Sequence, residues 1–240
     1  MHIFTRTLAV LSLLAVSSLL AADEMNFQPW SDSLFIQIEK EYGKQGADRM
    51  RKLHELIIDN QDKPIDVKLK VTNDALNRLP WITDQEKYSI NDYWATPLET
   101  IATFGGDCED MAIGKFMTLR LMGVPKENLR LTYVKIKKTG EAHMVLAYIK
   151  DIDLPPAKRS ALILDNYVKE ILPGKERKDL LGVFLIDADK KMTLISDDGK
   201  TRSIKSVIDS AKLAKLDTIK QKIKENRTKY QKYNDGRPLY

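Results

Sequence analysis

The first half of the chain carries apolar residues at the spacing of α-helices. Residues 31–60 predict two helices, with Gly43 and Gly46 at the break between them. A third helix is predicted over residues 64–79, since Pro64 suits a first helical turn and Pro80 follows the last apolar position.

The clearest helix is predicted over residues 108–122, after the irregular stretch WITDQEKYSINDYWATPLET. Asp107 suits the N-cap position, and Asp110 lies three residues further on, as in a capping box. Gly123 suits the C-terminal stop. The apolar face of this helix begins with Cys108, which places the cysteine at the rim of a core.

From residue 129 onward the pattern changes to short runs rich in β-branched and aromatic residues. The predicted strands cover residues 129–137, 143–149, 161–166, 183–187 and 192–196. A basic amphipathic helix is predicted over residues 203–233. Its inward residues are Ile204, Val207, Ile208, Ala211, Leu216, Ile219 and Ile223. Helices, then an antiparallel sheet, then a closing helix predict an α+β fold.

The N-terminal segment has the layout of a secretory signal peptide. Arg6 precedes an apolar run from Leu8 to Leu20, and small residues follow at Ala21 and Ala22. We therefore expect residues 1–22 to be a signal peptide and residues 23–240 to form a single domain. An uncleaved membrane anchor is the alternative, although the run is short for a membrane span.

Composition and charge narrow the class of protein. The chain has 240 residues, of which 43% are hydrophobic, which is enough for one substantial core. Its formal net charge is +5, and residues 200–232 hold eleven Lys or Arg against three acidic residues. Aromatic residues are sparse there and an exported protein seldom meets nucleic acid, so we interpret this stretch as a solvated helix face and expect no nucleic-acid partner.

The candidate chemistry centres on the only cysteine, Cys108, in the sequence GGDCED. One cysteine forms no internal disulfide, and an unpaired thiol in an exported protein suggests a use, although a buried cysteine also acts as a small hydrophobe. A nucleophilic cysteine reacts as its thiolate, which Asp107, Glu109 and Asp110 oppose. Either Cys108 is not a nucleophile, or something neutralises these carboxylates.

A base for the thiol is predicted at the edge of the sheet. Two histidines follow the signal segment, and His54 lies on the apolar face of a predicted helix, so we interpret it as structural. His143 begins one predicted strand and Asp165 ends the next, so an antiparallel pair brings them to the same sheet edge. With Cys108 packed against that edge, the three residues predict a nucleophile, a base and an orienting acid.

Three stretches carry a resemblance to a known family: DYWATPLETIATFGGDCEDMAIGKFMTLRLMGVP, HMVLAY and LILDN. They resemble the bacterial transglutaminase-like cysteine proteinases, the LapG family of periplasmic adhesin proteases, over about residues 81–166. The resemblance implies a papain-like or transglutaminase-like fold in which Cys108 is the nucleophile, His143 the base and Asp165 its orienting partner. The proline-containing loop at residues 151–160 is longer than is usual for the family.

The resemblance also implies a metal, a substrate and a partner. The family depends on Ca²⁺, and its metal-binding carboxylates match Asp107 and Glu109, with Asp110 either a further ligand or a capping residue. The implied substrate is the N-terminal region of a very large surface adhesin, cut at a paired-alanine site to control biofilm attachment. An inner-membrane receptor for cyclic-di-GMP sequesters such proteases in the periplasm.

Alternatives remain open at this stage. The acids are also explained by helix capping and compensation of the helix dipole, which needs no metal. The same nucleophile also suits a transglutaminase, which passes the acyl group to a lysine amine, or an amidase. A third possibility is a non-catalytic module that keeps the fold and binds calcium or a receptor.

Overall fold

The structure is a computed structural model that describes residues 27–155, 158–186, 192–195, 201–203 and 210–240. The expected signal peptide lies outside the described residues, as do three predicted inward positions, Ile204, Val207 and Ile208. In the described part of the chain, no helix has the length and apolar character needed to cross a membrane.

Helices come first, an antiparallel sheet follows, and a helix closes the chain. The helices are α1 (Asp32–Asn60), α2 (Ile65–Leu76), α3 (Asp84–Tyr88), α4 (Pro97–Ala102), α5 (Cys108–Leu121) and α6 (Ser210–Gln231). The strands are β1 (Leu129–Ile136), β2 (Ala142–Ile149), β3 (Ala161–Leu164), β4 (Leu172–Pro173), β5 (Leu180–Ile186), β6 (Met192–Ile195) and β7 (Thr201–Ser203). This order confirms the predicted α+β class.

The structure differs from the sequence prediction in its short elements. The stretch predicted to be irregular contains α3 and α4, and α4 begins with a capping box formed by Thr96 and Glu99. The closing helix is described from Ser210, and Thr201–Ser203, at its predicted start, pair with β6 as β7. Strands of two or three residues, such as β4 and β7, are too short to show a hydrophobic period.

The sheet order is β4-β3-β2-β1-β5-β6-β7, with antiparallel neighbours throughout. Leu146 of β2 lies opposite Leu164 of β3, so the start of β2 lies beside the end of β3. Helix α5 packs on β2 and β1. Leu119 of α5 is buried in the same cluster as Leu146 and Leu164, which fixes the helix against these strands.

Helix α1 breaks where the sequence predicted a break. Gly43 has φ 72° and ψ 170°, a conformation that a residue with a Cβ rarely adopts. After the break, Gly46 lets α1 approach α4, because its Cα lies close to the carbonyl of Ala102. His54 stacks on Trp30 with the ring centroids 5.5 Å apart and accepts a hydrogen bond from its backbone N–H, which agrees with a structural role.

We predict that Gly46→Ala destabilises the fold. An added Cβ would lie 2.7 Å from Tyr42 Cβ and 3.1 Å from the Ala102 oxygen. A clash cost of about 2 kcal/mol outweighs a gain in helix propensity of about 1 kcal/mol. Urea denaturation should therefore show a net loss of about 1 kcal/mol.

Gly174→Ala is the matched control for that measurement. A Cβ at Gly174 makes only ordinary contacts, 3.7 Å from Ile163 Cδ1 and 3.8 Å from Ala161 Cβ. Its unfolding free energy should stay within about 0.5 kcal/mol of the parent. Equal losses in the two variants would show that close packing at Gly46 is not the cause.

Candidate active site

Cys108 is the first residue of α5, at the end of a tight glycine-containing turn. Gly105 in this turn has φ 128°, in the region that favours glycine. The Cys108 side chain is half-buried and packs against the cluster of Trp94, Ala112 and Met144. Its position at the rim of a core is as the sequence predicted.

The thiol is held by the acid that follows it in sequence. Cys108 Sγ donates a hydrogen bond to Glu109 Oε2 at 2.9 Å. Burial raises the pKa of the Cys108 thiol well above its usual value, and the charges of Glu109 and Asp107 raise it further, while a backbone hydrogen bond from Met144 acts in the opposite direction. In this arrangement the thiol is protonated at neutral pH.

His143 and Asp165 lie side by side, as the strand-edge argument predicted. His143 Nε2 and Asp165 Oδ1 are 2.7 Å apart, and the two side chains are 7% and 0% exposed. Burial opposes ionisation of Asp165, but the hydrogen bond and charge of His143, the Tyr167 N–H and the Arg177 guanidinium hold its pKa at about 2. An ionised carboxylate only accepts hydrogen bonds, so His143 donates from Nε2 and its neutral form carries the lone pair on Nδ1.

A buried lysine of helix α5, Lys115, interacts with the charge of Asp165. Lys115 is 1% exposed, and burial lowers its pKa to about 7 while the charge of Asp165 opposes that shift. Cys108 and Lys115 are seven residues apart, so they lie on one helix face two turns from each other. The geometry agrees: α5 packs on β2, the strand of His143, and Cys108 packs against the cluster that contains Met144, the next residue of that strand.

Carboxylates converge in front of the α5 N-terminus. Oxygens of Asp84, Asp107 and Asp110 lie within 4.8 Å of one another, and Glu109 forms a similar group with Asp84 and Asp92. Helix α3 contributes Asp84, whose Oδ2 accepts a hydrogen bond from the Tyr93 N–H at 2.6 Å. We call Asp84, Asp107, Glu109 and Asp110 the acidic cluster.

The predicted capping box at α5 is wrong. Asp107 occupies the N-cap position, but its side chain makes no capping hydrogen bond. Asp110 is turned toward the preceding loop instead, where its Oδ1 accepts from the Ala95 N–H at 2.7 Å. The acids therefore do not cap the helix through side-chain hydrogen bonds, although Glu109 and Asp110 lie in its first turn, where their charges compensate the helix dipole.

Three oxygens of the acidic cluster are buried without a hydrogen-bond partner among the described residues: Asp84 Oδ1, Asp107 Oδ1 and Asp110 Oδ2. Burial, and then repulsion from the neighbouring acids, raises the pKa of Asp107 to about 9. Burial likewise raises the pKa of Asp110 to about 7. Unpaired, buried carboxylate oxygens that converge on one point are the donor set that Ca²⁺ prefers, so these residues fit that ion.

Sequence reasoning missed two residues of this site, Asp84 and Arg177. Asp84 lies far from Cys108 in sequence and follows Thr83 at a helix start, so nothing in its spacing marks it as part of the cluster. Arg177, which bonds Asp165, lies in a turn without a recognisable motif. The Trp94 indole also lies beside Cys108: it is 3% exposed, and its Nε1 has no hydrogen-bond partner among the described residues.

Comparison with known proteins shows a match to one family model and similarity to several solved structures. The family model of the bacterial transglutaminase-like cysteine proteinases matches residues 51–178, more than half of the chain and all three predicted triad positions. Comparison with curated protein sequences gave no match.

Three of the similar solved structures are of LapG from Legionella pneumophila. One is 31% identical, covering 81% of this chain and 99% of that chain, with a TM-score of 0.61. Calcium-bound LapG is 30% identical over 78% of this chain and 98% of that chain, with a TM-score of 0.62. EGTA-treated LapG is 30% identical, covering 81% of this chain and 99% of that chain, and its TM-score is also 0.62.

We predict that the acidic cluster makes the calcium-free protein less stable as the pH rises from about 5 to 7. The raised pKa values of Asp107 and Asp110, about 9 and 7 against an ordinary 3.8, mean that the folded state binds these protons more tightly than the unfolded state. Stability is therefore full at low pH and is lost as the pH rises. Denaturation of Asp107→Asn should show a shallower decline.

Asp59→Asn, at an exposed position near the end of α1, is the control for charge loss alone. Its stability should follow the parent curve at every pH. If Asp107→Asn also follows the parent curve, the acids do not repel one another in the folded state.

Proposed function

This chain belongs to the bacterial transglutaminase-like cysteine proteinases and is a LapG-type protease, and we propose that it is a calcium-dependent endopeptidase with a Cys108–His143–Asp165 triad. The observation that carries the proposal is the buried His143–Asp165 hydrogen bond, which lies next to the Met144 cluster that Cys108 packs against. The family match, which spans all three residues, supports the same assignment.

The proposed reaction uses each residue in one role. The Cys108 thiol gives its proton to His143 Nδ1 and its sulfur bonds to the scissile carbonyl carbon. The imidazolium then gives that proton to the leaving amine as the C–N bond breaks, which leaves a thioester. Water then attacks the thioester carbonyl carbon while His143 takes its proton, the C–S bond breaks to release the acid product, and the imidazolium returns the proton to the Cys108 sulfur. Asp165 keeps the imidazole oriented and stabilises its charged form.

The oxyanion formed in each step needs hydrogen-bond donors aimed at it. The backbone N–H of Cys108 is the first donor, at the positive end of the α5 dipole. The second donor in this proposal is the indole N–H of Trp94, which is buried without a partner in the cluster that contacts Cys108.

Calcium is the proposed cofactor, held by Asp107 and Glu109 together with Asp84 and Asp110. Its positive charge offsets the carboxylates that raise the pKa of the Cys108 thiol. A calcium ion bound by Glu109 would compete with the Cys108 thiol for this carboxylate, which accepts the thiol hydrogen bond in the structure. The calcium-bound and EGTA-treated LapG structures support the choice of metal.

Substrate, partner and compartment follow from the family resemblance. We propose that the protease acts in the periplasm after export through the signal peptide at residues 1–22. Its substrate is the N-terminal region of a large surface adhesin, cut at a paired-alanine site, so that its activity controls biofilm attachment. An inner-membrane cyclic-di-GMP receptor is the proposed partner that sequesters it.

The deciding experiment mixes the mature chain with a recombinant N-terminal segment of a large adhesin from the same genome, in calcium and in chelator. Shortened adhesin chains in calcium alone support the endopeptidase. Cross-linked chains would indicate acyl transfer to lysine instead. An unchanged segment, with Cys108 inert to a thiol-reactive acyl analogue, would indicate a non-catalytic module.

We predict that the triad variants lose activity in a set order. Cys108→Ser should abolish cleavage with the fold intact, and His143→Ala should be nearly as damaging. Asp165→Asn should lower kcat by about 10⁴-fold, because the imidazole loses the acceptor that selects its tautomer. Circular dichroism and a gel assay of adhesin cleavage check these outcomes.

His54→Ala is the control for the loss of a histidine. His54 packs among Trp30, Phe27 and Phe35, so its variant should be less stable but should cleave normally once folded. An essential His54 together with a dispensable His143 would rule out the proposed base.

We predict that chelation lowers activity and that added Ca²⁺ restores it. Mg²⁺ should restore it poorly, because it requires a tighter octahedral shell and loses water reluctantly. Asp107→Ala and Glu109→Ala should lose calcium binding by calorimetry and lose cleavage while remaining folded. Asp59→Ala is the matched control, and normal calcium binding and cleavage in both cluster variants would exclude the metal site.

A further inference from the structure

Both oxygens of the Asp165 carboxylate are held by hydrogen bonds. Oδ1 lies 2.7 Å from His143 Nε2 and accepts from the Tyr167 backbone N–H at 2.9 Å. Oδ2 accepts from Arg177 Nη2 at 2.7 Å. The Arg177 and Asp165 side chains are 2% and 0% exposed, so solvent does not compete for this contact.

Arg177 is itself fixed by a second carboxylate. Its Nε donates to Asp179 Oδ1 at 2.9 Å and its Nη2 to Asp179 Oδ2 at 2.8 Å, a two-point contact that sets the plane of the guanidinium. Arg177 follows the short 3₁₀ turn Gly174–Glu176, and Asp179 directly precedes β5. Since β5 pairs with β1, the guanidinium is anchored to the sheet independently of the strand that carries His143.

We infer that Arg177 is a positioning residue of the protease: it holds Asp165 Oδ2 so that Oδ1 stays directed at His143 Nε2. A carboxylate held at both oxygens does not rotate, so the His143 proton stays on Nε2 and the lone pair stays on Nδ1, where the thiol proton is accepted. This inference rests on the proposed function, because it assigns Arg177 a role in the same triad.

The other groups around Asp165 do not replace Arg177 in this role. Lys115 faces it from α5, but its pKa of about 7 leaves it only partly charged at neutral pH. Tyr167 bonds Asp165 through its backbone and shares Oδ1 with His143. Asp179 carries the same charge as Asp165 and repels it, and both carboxylates accept hydrogen bonds from the Arg177 guanidinium. Arg177 is therefore the permanent cation at Oδ2.

A merely structural ion pair predicts something different. Buried ion pairs contribute little net stability, and removing one partner leaves a buried charge. A structural role predicts altered stability with His143 unchanged, whereas a positioning role predicts an altered His143 tautomer and a lower kcat in protein that remains folded.

The test uses two variants of the mature chain and one control. Arg177→Lys keeps the charge but loses the planar two-point contact. Asp179→Asn loosens the guanidinium by changing a partly exposed side chain, so it remains decisive if Arg177→Lys does not fold. The control is Arg237→Lys, at an Arg–Asp pair beyond α6 whose side chains are 32% and 66% exposed.

The first readout is the ¹⁵N NMR tautomer state of the histidines, recorded at a pH where both are neutral and in a Cys108→Ala background. His54 Nε2 accepts from the Trp30 N–H, so His54 carries its proton on Nδ1 and serves as an internal reference of opposite tautomer. We expect His143 to be protonated on Nε2 in the parent and in Arg237→Lys. Arg177→Lys should show mixed tautomers, and Asp179→Asn a smaller change of the same kind, with His54 constant.

The second readout is cleavage of the adhesin segment by the same variants with Cys108 intact. We expect kcat to fall roughly 10- to 100-fold in Arg177→Lys with little change in KM, as for a misplaced catalytic group. An unchanged His143 tautomer in every folded variant overturns the inference, whatever the activity. The NMR readout needs no substrate, so a parent that cleaves nothing contradicts the proposed function without deciding the role of Arg177.

Discussion

The site depends on one electrostatic constraint: several carboxylates are buried together beside the Cys108 thiol, and burial and these charges raise the pKa of that thiol. At an effective dielectric constant of about 20, two unit charges at the upper separation of 4.8 Å repel each other by about 3.5 kcal/mol. The fold brings these acids together from the start of α3 and the start of α5, so the repulsion is built into its packing. Such an arrangement is stable only with protons or a cation, and a cation is the solution that also permits a thiolate.

Two aspartates in the same site show how strongly surroundings set acidity. Asp165 is buried among His143, Arg177 and a backbone N–H, and its pKa is about 2. Asp107 is buried among acids, and its pKa is about 9. Burial raises the pKa in both cases, so the difference comes from the sign of the neighbouring charges. Asp165, on the sheet side of the site, is therefore ionised at neutral pH. Asp107, on the helix side, is protonated unless a cation compensates its charge.

The sequence predicted the parts of this site that depend on regular elements. The start of β2 and the end of β3 were predicted from strand patterns, and antiparallel pairing then brings His143 beside Asp165. Cys108 was located by the helix that it begins. The predicted capping box was wrong because Asp110 makes a tertiary contact instead. Its Oδ1 accepts a hydrogen bond from the Ala95 N–H, in a loop whose position does not follow from the local sequence. Asp84 and Arg177 were missed because neither belongs to an element with a clear sequence period: Asp84 begins the five-residue helix α3, and Arg177 follows a 3₁₀ turn.

The acidic cluster and the His143–Asp165 pair are held by different elements of the fold. The acidic cluster is formed by α3 and the start of α5, whereas the His143–Asp165 pair is anchored through Arg177 and Asp179 to the strands. Cys108 lies between them, bonded to Glu109 on one side and to the backbone of Met144 on the other. In the proposed mechanism, loss of calcium would change the charge around the Cys108 thiol and the acids beside it. The contacts that orient His143 include none of these acids, so they would persist without the metal.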